Sequence, residues 1–242
     1  MLMGDGAPRV GDAAEERPRT LRLAHRGDWR TAPENSLSAM LAALRVAGCD
    51  GLEFDLRSSL DGVPVLLHDA DLSRVQKVPA RCATLTAEEL AGHGIPTFKE
   101  VLDAVDCDVF LDVEFKERVD AAIDVLELER GRIADDGTPE LRSAAVSSFG
   151  TDILGWLRDV RPTWPRWLNA YDLSARTIEV ARALGCEAIS AEWHAVDGEA
   201  VARARAAGLD VAAWTVRGAA DYDQLAALGL RAICAEAAAL ES

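Results

Sequence analysis

Short apolar runs recur along the chain and alternate with amphipathic stretches of helical period. Eight of these runs read as buried strands, at residues 21–24, 51–56, 108–115, 143–148, 166–170, 187–192, 210–215 and 231–235. Gly185, Gly208 and Gly229 each end a helical stretch just before a strand, where a left-handed helix cap is expected. Because helices alternate with strands, the pattern predicts right-handed crossovers and a parallel sheet.

Eight strand–helix units favour a closed barrel over an open sheet. The chain has 242 residues, which is close to the roughly 250 residues of a typical (β/α)8 TIM barrel. Helices are predicted at 35–47 (capped by Asn35 or Ser36), 84–92, 98–105, 119–133, 152–161, 175–184, 198–207 and 220–228. We therefore predict a single α/β domain at residues 21–242, a (β/α)8 TIM barrel with a small helical insertion after the second strand. Residues 1–20, rich in glycine, proline and charge, are predicted to be a flexible N-terminal tail.

Three carboxylates come from two neighbouring predicted strands. Glu53 and Asp55 share one face of the strand at 51–56, because successive side chains of a strand point to opposite faces. Glu114 lies near the end of the strand at 108–115. Carboxylates buried side by side repel each other, so a bound divalent cation is the simplest explanation. Oxygen ligands suit Mg²⁺ or Ca²⁺, and salt bridges to arginine or lysine are the alternative.

Two histidines and two cations flank these carboxylates. His25 follows the first strand, and His68 follows a short extended run at residues 63–67. A pair of groups that titrate near neutral pH suits an acid and a base, whereas a structural role is the alternative for each histidine. Arg26 and Lys116 supply fixed positive charge for phosphate oxygens or for balancing the carboxylates. Which histidine is the acid and which the base stays open.

The composition limits the classes of molecule that this protein is expected to bind. The formal net charge of −15, from 41 acidic and 26 basic residues, disfavours nucleic acid and anionic membrane surfaces. Five scattered cysteines without CxxC spacing suggest a reducing compartment. No apolar run approaches the roughly 18 residues of a membrane span, and the N-terminus lacks the apolar core of a signal peptide. We expect a cytoplasmic protein with a small-molecule substrate, no nucleic-acid partner and no stable membrane insertion; the oligomeric state stays open.

An ordered set of motifs between residues 21 and 236 resembles the glycerophosphodiester phosphodiesterase family. The matching motifs are His25-Arg26-Gly27, Pro33-Glu34-Asn35-Ser36, Glu53-x-Asp55, Asp61-Gly62-x-Pro64-Val65, His68-Asp69, Glu114-x-Lys116 and Trp214-Thr215-Val216. Each motif is weak alone, but their order is specific. Two segments depart from the family pattern and bear on substrate preference. Ala235-Glu236-Ala237 replaces an Asp followed by Pro, and residues 70–74 lack the usual Arg-Thr-Thr.

The resemblance implies metal-dependent hydrolysis of glycerophosphodiesters to glycerol 3-phosphate and an alcohol. It implies that Glu53, Asp55 and Glu114 bind one divalent metal, Mg²⁺ or Ca²⁺, and that His25 and His68 are the acid and base. It also implies that Glu34 lines the substrate site, while Trp214 either stacks on the substrate or simply packs. Two alternatives remain. One is a lysophospholipase D for longer-chain lipids, expected to have an apolar mouth near residues 70–97, and the other is a catalytically silent barrel that serves as a binding module.

Overall fold

The computed structural model describes residues 19–241. The strands are β1 Leu21–His25, β2 Gly51–Ser58, β3 Pro64–Leu66, β4 Phe110–Phe115, β5 Gly131–Ile133, β6 Pro139–Leu141, β7 Ala144–Ser148, β8 Arg166–Ala170, β9 Ala188–Glu192, β10 Asp210–Val216 and β11 Ala232–Ala235. The helices are α1 Leu37–Ala43, α2 Ala87–Gly92, α3 Phe98–Ala104, α4 Asp120–Arg130, α5 Thr151–Val160, α6 Ala175–Ala183, α7 Gly198–Ala206, α8 Ala219–Ala226 and α9 Ala238–Glu241.

The predicted tail lies outside the described residues except at its end. There Arg19 donates a hydrogen bond to Asp50, and Thr20 is buried. These two residues therefore contact the barrel. Among the described helices, none combines the length and apolarity that crossing a membrane requires.

The parallel strands form a closed barrel. Across residues 19–241, eight strands pair in the order β1-β11-β10-β9-β8-β7-β4-β2, and β1 pairs with β2 to close the ring. The helices between the strands cover the outside, where an apolar core includes Phe54, Val113 and Ile189. The predicted (β/α)8 TIM barrel is therefore confirmed, and its strands all end at one mouth.

The opposite end of the barrel is sealed by its own side chains. Trp167 is fully buried there and stacks on Phe110 at 5.6 Å between ring centroids. Small residues surround this pair on the neighbouring strands: Ala145, Ala188, Ala212 and Ala232. Because large rings fill the sealed end while small residues line the strands, space remains at the mouth.

A hairpin brings His68 to the mouth. β3 runs antiparallel to the end of β2, with Leu56 opposite Leu66 and Ser58 opposite Pro64. The amide of Leu67 then donates to the carbonyl of Asp55 at 3.0 Å. The extended run predicted at 63–67 therefore pairs with the strand that carries the carboxylates, and this pairing fixes where the chain continues.

The predicted helical insertion is present. Its apolar residues form a separate small cluster: Val65, Leu67, Leu72, Cys82, Leu90 and Ile95. Thr86 begins α2 with a capping box to Glu89, and Thr97 begins α3 with one to Glu100, an arrangement that satisfies amide groups at the helix start.

Helices end more than two residues before their predicted ends at two places. The predicted cap Ser36 is observed, but α1 ends at Ala43, four residues early. The helix predicted at 119–133 is wrong beyond Arg130, because β5 and β6 form a hairpin there. A side-chain carbon on Gly131 would lie 2.2 Å from a backbone oxygen of Glu127, so this close turn admits only glycine. The predicted left-handed caps are observed at Gly185, Gly208 and Gly229.

Candidate active site

Parallel register places the three predicted metal ligands side by side. Asp55 on β2 lies opposite Glu114 on β4, and Glu53 precedes Asp55 by one inward-facing position. One oxygen from each carboxylate falls within a group whose members all lie within 4.8 Å of one another. All three side chains are buried, so their charges are costly without a cation.

The charges of these carboxylates are unequal. Burial, together with the nearby charge of Asp55, raises the pKa of Glu53 well above its usual range and that of Glu114 to about 7. Burial would also raise the pKa of Asp55, but Arg26 and Lys116 hold it well below its usual range. Oε2 of Glu53 has no hydrogen-bond partner among the described residues, and Oδ1 of Asp55 has an ion pair with Lys116 but no hydrogen bond of good geometry. Clustered acidic oxygens with so few donors fit a hard divalent cation.

Asp55 is the point where the cations converge. Nε of Arg26 lies 3.1 Å from Oδ2 of Asp55, and Nζ of Lys116 lies 3.2 Å from Oδ1. Lys116 also donates to Oε1 of Glu114 at 2.7 Å. The side-chain amide of Asn35 donates to Oδ2 of Asp55 at 2.8 Å, so this residue, which the sequence offered as a helix cap, contacts the site directly.

His25 is held by a residue from the far end of the chain. Its Nδ1 lies 2.5 Å from Oε1 of Glu236, and its Nε2 lies 3.7 Å from Oε2 of Glu53. A carboxylate only accepts, so Nδ1 carries the proton and Nε2 faces the carboxylates. Burial lowers the pKa of His25, with a further lowering by Arg26, although Glu236 opposes this.

His68 is held in a similar way on the other side of the site. Its Nδ1 lies 2.7 Å from Oδ1 of Asp69. Arg57 fixes the backbone, because its guanidinium donates to the carbonyl of His68 at 2.8 and 3.0 Å. The side chain of His68 is 31% exposed, against 13% for His25. Burial still lowers the pKa of His68, against the opposing charge of Asp55.

Arg74 of the insertion connects the loops around the mouth. It donates two hydrogen bonds to Glu34, at 2.5 and 2.8 Å, and one to Asp69 at 2.5 Å. Glu34 in turn accepts from Arg26 at 3.0 Å. A continuous polar chain therefore runs from His68 through Asp69, Arg74 and Glu34 to Arg26.

The mouth opens into a cavity of about 500 Å³. The structure brings most of the sequence-predicted site residues to its walls: His25, Arg26, Glu34, Glu53, His68, Glu114, Lys116 and Trp214. Asp55 lies just behind this wall and is fully buried. Trp214 packs at the rim with Phe149 and Tyr171, with ring centroids 5.4 and 5.5 Å from its own.

Sequence reasoning missed several wall residues. Glu236 was considered only for substrate preference, yet it holds His25; its place at the end of the last strand was the available signal. Arg74 and Asp112 were not assigned either, and Asp112 had a signal, since it shares the inward face of its strand with Glu114. His194, which follows β9, is exposed and is hydrogen-bonded to Glu192.

Comparison with known proteins identifies the family. Residues 25–239 match the Glycerophosphoryl diester phosphodiesterase family. Since this match covers most of the chain, the chain belongs to that family, as its motifs suggested.

Individual relatives match over different lengths. A glycerophosphodiester phosphodiesterase from Caldanaerobacter subterraneus is 32% identical over 115 residues, 42% of this chain and 47% of that protein. The human glycerophosphodiester phosphodiesterase 1 is 39% identical over 82 residues, 34% of this chain and 24% of that protein. The matches thus span about half or less of these relatives. A probable glycerophosphodiester phosphodiesterase 1 from Mycobacterium tuberculosis is 26% identical over 230 residues, 83% of each chain.

A solved structure matches nearly the whole fold. It is an Oleispira antarctica phosphodiesterase in complex with the product sn-glycerol-3-phosphate. The two chains share 25% identity with a TM-score of 0.76, over 90% of this chain and 93% of that one.

Proposed function

We propose that this protein is a phosphoric diester hydrolase that cleaves glycerophosphodiesters to glycerol 3-phosphate and an alcohol, using one divalent metal and two histidines. The observation that carries the proposal is one cavity whose walls hold His25 and His68 beside three buried carboxylates. Family membership and the product-bound relative from Oleispira antarctica support the same substrate class.

Glu53, Asp55 and Glu114 fit a Mg²⁺ or Ca²⁺ ion, because their oxygens cluster in a buried site where Oε2 of Glu53 has no donor among the described residues. Such an ion supplies Lewis-acid stabilisation of charge on a phosphoryl group. Family membership agrees with metal dependence.

The two cations bind the phosphate in this proposal. Arg26 and Lys116 both reach Asp55 and both line the cavity. Arginine binds two phosphate oxygens through its planar fork, whereas lysine acts as a point charge. These donors are held in place before the substrate arrives, so they stabilise the transition-state charge without reorganising.

The histidines move the protons. Each imidazole has Nδ1 on a carboxylate, which leaves Nε2 to exchange a proton with the substrate or water. We assign His68 as the base, since its greater exposure suits a group that activates a nucleophile from solvent. His25 is then the acid, and the carboxylate of Glu236 on its Nδ1 favours the protonated form that an acid needs, against the lowering of its pKa by burial. The nucleophile is either water or the 2-hydroxyl of the substrate's glycerol.

The insertion favours small polar substrates over the lysophospholipid alternative. An acyl chain needs an apolar mouth near residues 70–97. The apolar side chains of this segment pack into their own cluster, and the residue it contributes to the cavity wall is Arg74. A guanidinium at the mouth suits an anionic, water-soluble diester.

Product release from a substrate panel tests the proposed function. Purified protein with Mg²⁺ or Ca²⁺ is mixed with glycerophosphocholine, glycerophosphoethanolamine and lysophosphatidylcholine, and released choline, ethanolamine and glycerol 3-phosphate are measured. We expect glycerol 3-phosphate from the first two diesters. The His25→Ala variant should lose this release. The His194→Ala variant, which alters an exposed histidine, should keep it. Release of choline from the lysolipid alone would contradict the proposal, and no turnover of any diester would support a silent barrel.

A further inference from the structure

Arg217 is a cation at the mouth of the cavity that the proposed mechanism does not use. It follows β10 and lines the cavity, and its side chain is 68% exposed. Its Nε donates to Oε2 of Glu236 at 2.7 Å, and it has no other hydrogen-bond or ion-pair partner among residues 19–241. A guanidinium has five N–H donors. Within the described chain, the four donors on its two terminal nitrogens are therefore available to a ligand.

The other cations of the cavity wall are committed to carboxylates of the site. Arg74 makes three hydrogen bonds to Glu34 and Asp69. The two deeper cations, which are proposed to bind the phosphate, lie against Asp55. Arg217 is therefore the arginine of this wall that is best placed to receive an anionic group from a ligand.

Arg217 stands on the side of the cavity where the alcohol of the substrate is expected to depart. Glu236 holds Nδ1 of His25 through Oε1 and Arg217 through Oε2, so a single carboxylate joins the imidazole to the guanidinium. In the proposed function His25 protonates the departing alcohol oxygen, which must lie within hydrogen-bond reach of the imidazole. The alcohol arm therefore begins beside His25 and can reach Arg217 as it extends toward solvent.

We propose that Arg217 binds a carboxylate carried by the alcohol arm, so that the enzyme favours glycerophosphodiesters of anionic alcohols. The planar fork of arginine matches the two oxygens of a carboxylate. This inference rests on the proposed function and on the assignment of His25 as the acid, and it adds a substrate class to them. Glycerophosphoserine represents this class, because it differs from glycerophosphoethanolamine by one carboxylate.

Three substrates isolate the contribution of the carboxylate, and all of them release glycerol 3-phosphate. Glycerophosphoserine carries the carboxylate, glycerophosphoserinamide has a neutral amide of similar size in its place, and glycerophosphoethanolamine has neither. The net charge of −15 would by itself disfavour the most anionic of the three. We expect the wild type to favour glycerophosphoserine over the other two by about threefold or more in kcat/KM at low ionic strength, since an exposed ion pair contributes modestly. Added salt should reduce this preference by screening the pair.

Variants of two arginines on opposite sides of the mouth test the contact. Arg217→Gln should remove the preference for glycerophosphoserine, and Arg217→Lys should keep part of it, because lysine retains the charge without the fork. Arg118→Gln is the matched control. Arg118 follows β4, which lies opposite β10 in the ring of eight strands, and its side chain is 60% exposed and paired with Asp120. This variant should keep the full preference.

The comparison across substrates separates binding of the alcohol arm from an effect on His25. If Arg217 acts only by supporting Glu236, the Arg217→Gln variant will lose activity on all three substrates by the same factor, and the inference is overturned. Equal kcat/KM of the wild type for the serine and serinamide diesters overturns it as well. So does a preference that survives in Arg217→Gln or that Arg118→Gln also removes. Thermal melting reports that each variant is folded.

Failure of the proposed function looks different from failure of this inference. In that case the wild type with Mg²⁺ or Ca²⁺ would release no glycerol 3-phosphate from any of the three diesters.

Discussion

Asp55 keeps its charge in a fully buried position because three neighbours compensate it. Arg26, Lys116 and the amide of Asn35 all lie within 3.2 Å of its oxygens. Glu53 has a raised pKa and an oxygen without a donor. The site is thus arranged for one more positive charge, and that charge is expected nearest Glu53.

The Glu53→Gln variant should weaken Mg²⁺ and Ca²⁺ binding at least about tenfold, because it removes one charge from a small ligand set. It should also raise the melting temperature of the metal-free protein slightly, since it relieves repulsion between carboxylates. Titration calorimetry and melting with a chelator measure the two effects. Glu192→Gln, at the rim and outside the carboxylate trio, should bind metal as the wild type does. Equal affinities in both variants would remove Glu53 from the metal site.

Replacing either proposed catalytic histidine, His25 or His68, with alanine should lower turnover by about 10² to 10⁴, the usual contribution of a general acid or base. Metal affinity and melting temperature should change little, because neither histidine is needed as a ligand. A nitrophenyl diester separates the roles, since its leaving group needs little protonation. His25→Ala should recover much of its activity on this substrate and His68→Ala should not. The reverse pattern would exchange the assigned roles. Near-normal turnover of a natural diester by both variants would show that neither histidine is catalytic.

The pH profile should carry the signature of His68. Burial lowers its pKa from 6.5, and a base acts in its neutral form. Activity is therefore retained through neutral pH and lost as the pH falls through this lowered pKa, so the acid limb of kcat/KM should have its midpoint below 6.5. The measurement needs saturating metal, because protons compete for the carboxylates. His68→Ala should lack this limb. If the wild type has its midpoint above pH 6.5 and the His68→Ala variant shows the same acid limb, another group is responsible for that limb.

At the scale of elements, the insertion and the loop after β1 meet through Arg74. Its bonds to Glu34 and Asp69 join the segment that positions Arg26 to the segment that positions His68. Partly exposed ion pairs add little stability, so the contribution of Arg74 should appear in catalysis more than in melting temperature.

The Arg74→Ala variant should lower kcat/KM by about tenfold or more while shifting the melting temperature little, because a 1 Å misplacement of a catalytic group is costly. Arg74→Lys keeps the charge without the two-pronged bond and should recover only part of the loss. Arg81→Ala, an exposed arginine of the same insertion, is the matched control and should behave as the wild type. Equal kinetics for Arg74→Ala and Arg81→Ala would show that the hydrogen bonds of Arg74 to Glu34 and Asp69 do not contribute to catalysis.

The order of strands and helices was the part of the fold that the sequence predicted best. Apolar runs and glycine caps located the strands, and the convergence of strand ends placed Glu53 and Glu114 together without any coordinates. The helix after β4 was overextended, because a stretch rich in leucine, glutamate and arginine has helical propensity that the close turn at Gly131 overrides. Local propensity does not report such contacts.

At the scale of the whole molecule, barrel closure creates contacts that no local pattern encodes. β11 pairs with β1, which brings Glu236 onto His25 across 211 positions of sequence. The segment Ala235-Glu236-Ala237 therefore gave no sign that Glu236 contacts His25. Closure likewise brings Asp112, Asn169, Ser190 and Cys234 from β4, β8, β9 and β11 to the wall of one cavity. Asn169 and Ser190 stand in no recognisable motif, so the sequence did not single them out.

We propose that the buried carboxylates hold a divalent metal on which diester cleavage depends. The rate of glycerol 3-phosphate release from glycerophosphocholine is measured before chelation, after exhaustive chelation, and after re-addition of Mg²⁺ or Ca²⁺. We expect activity to be lost on chelation and to recover with one of these ions, with Glu53→Gln needing more metal to recover. Full activity in the exhaustively chelated protein would contradict it.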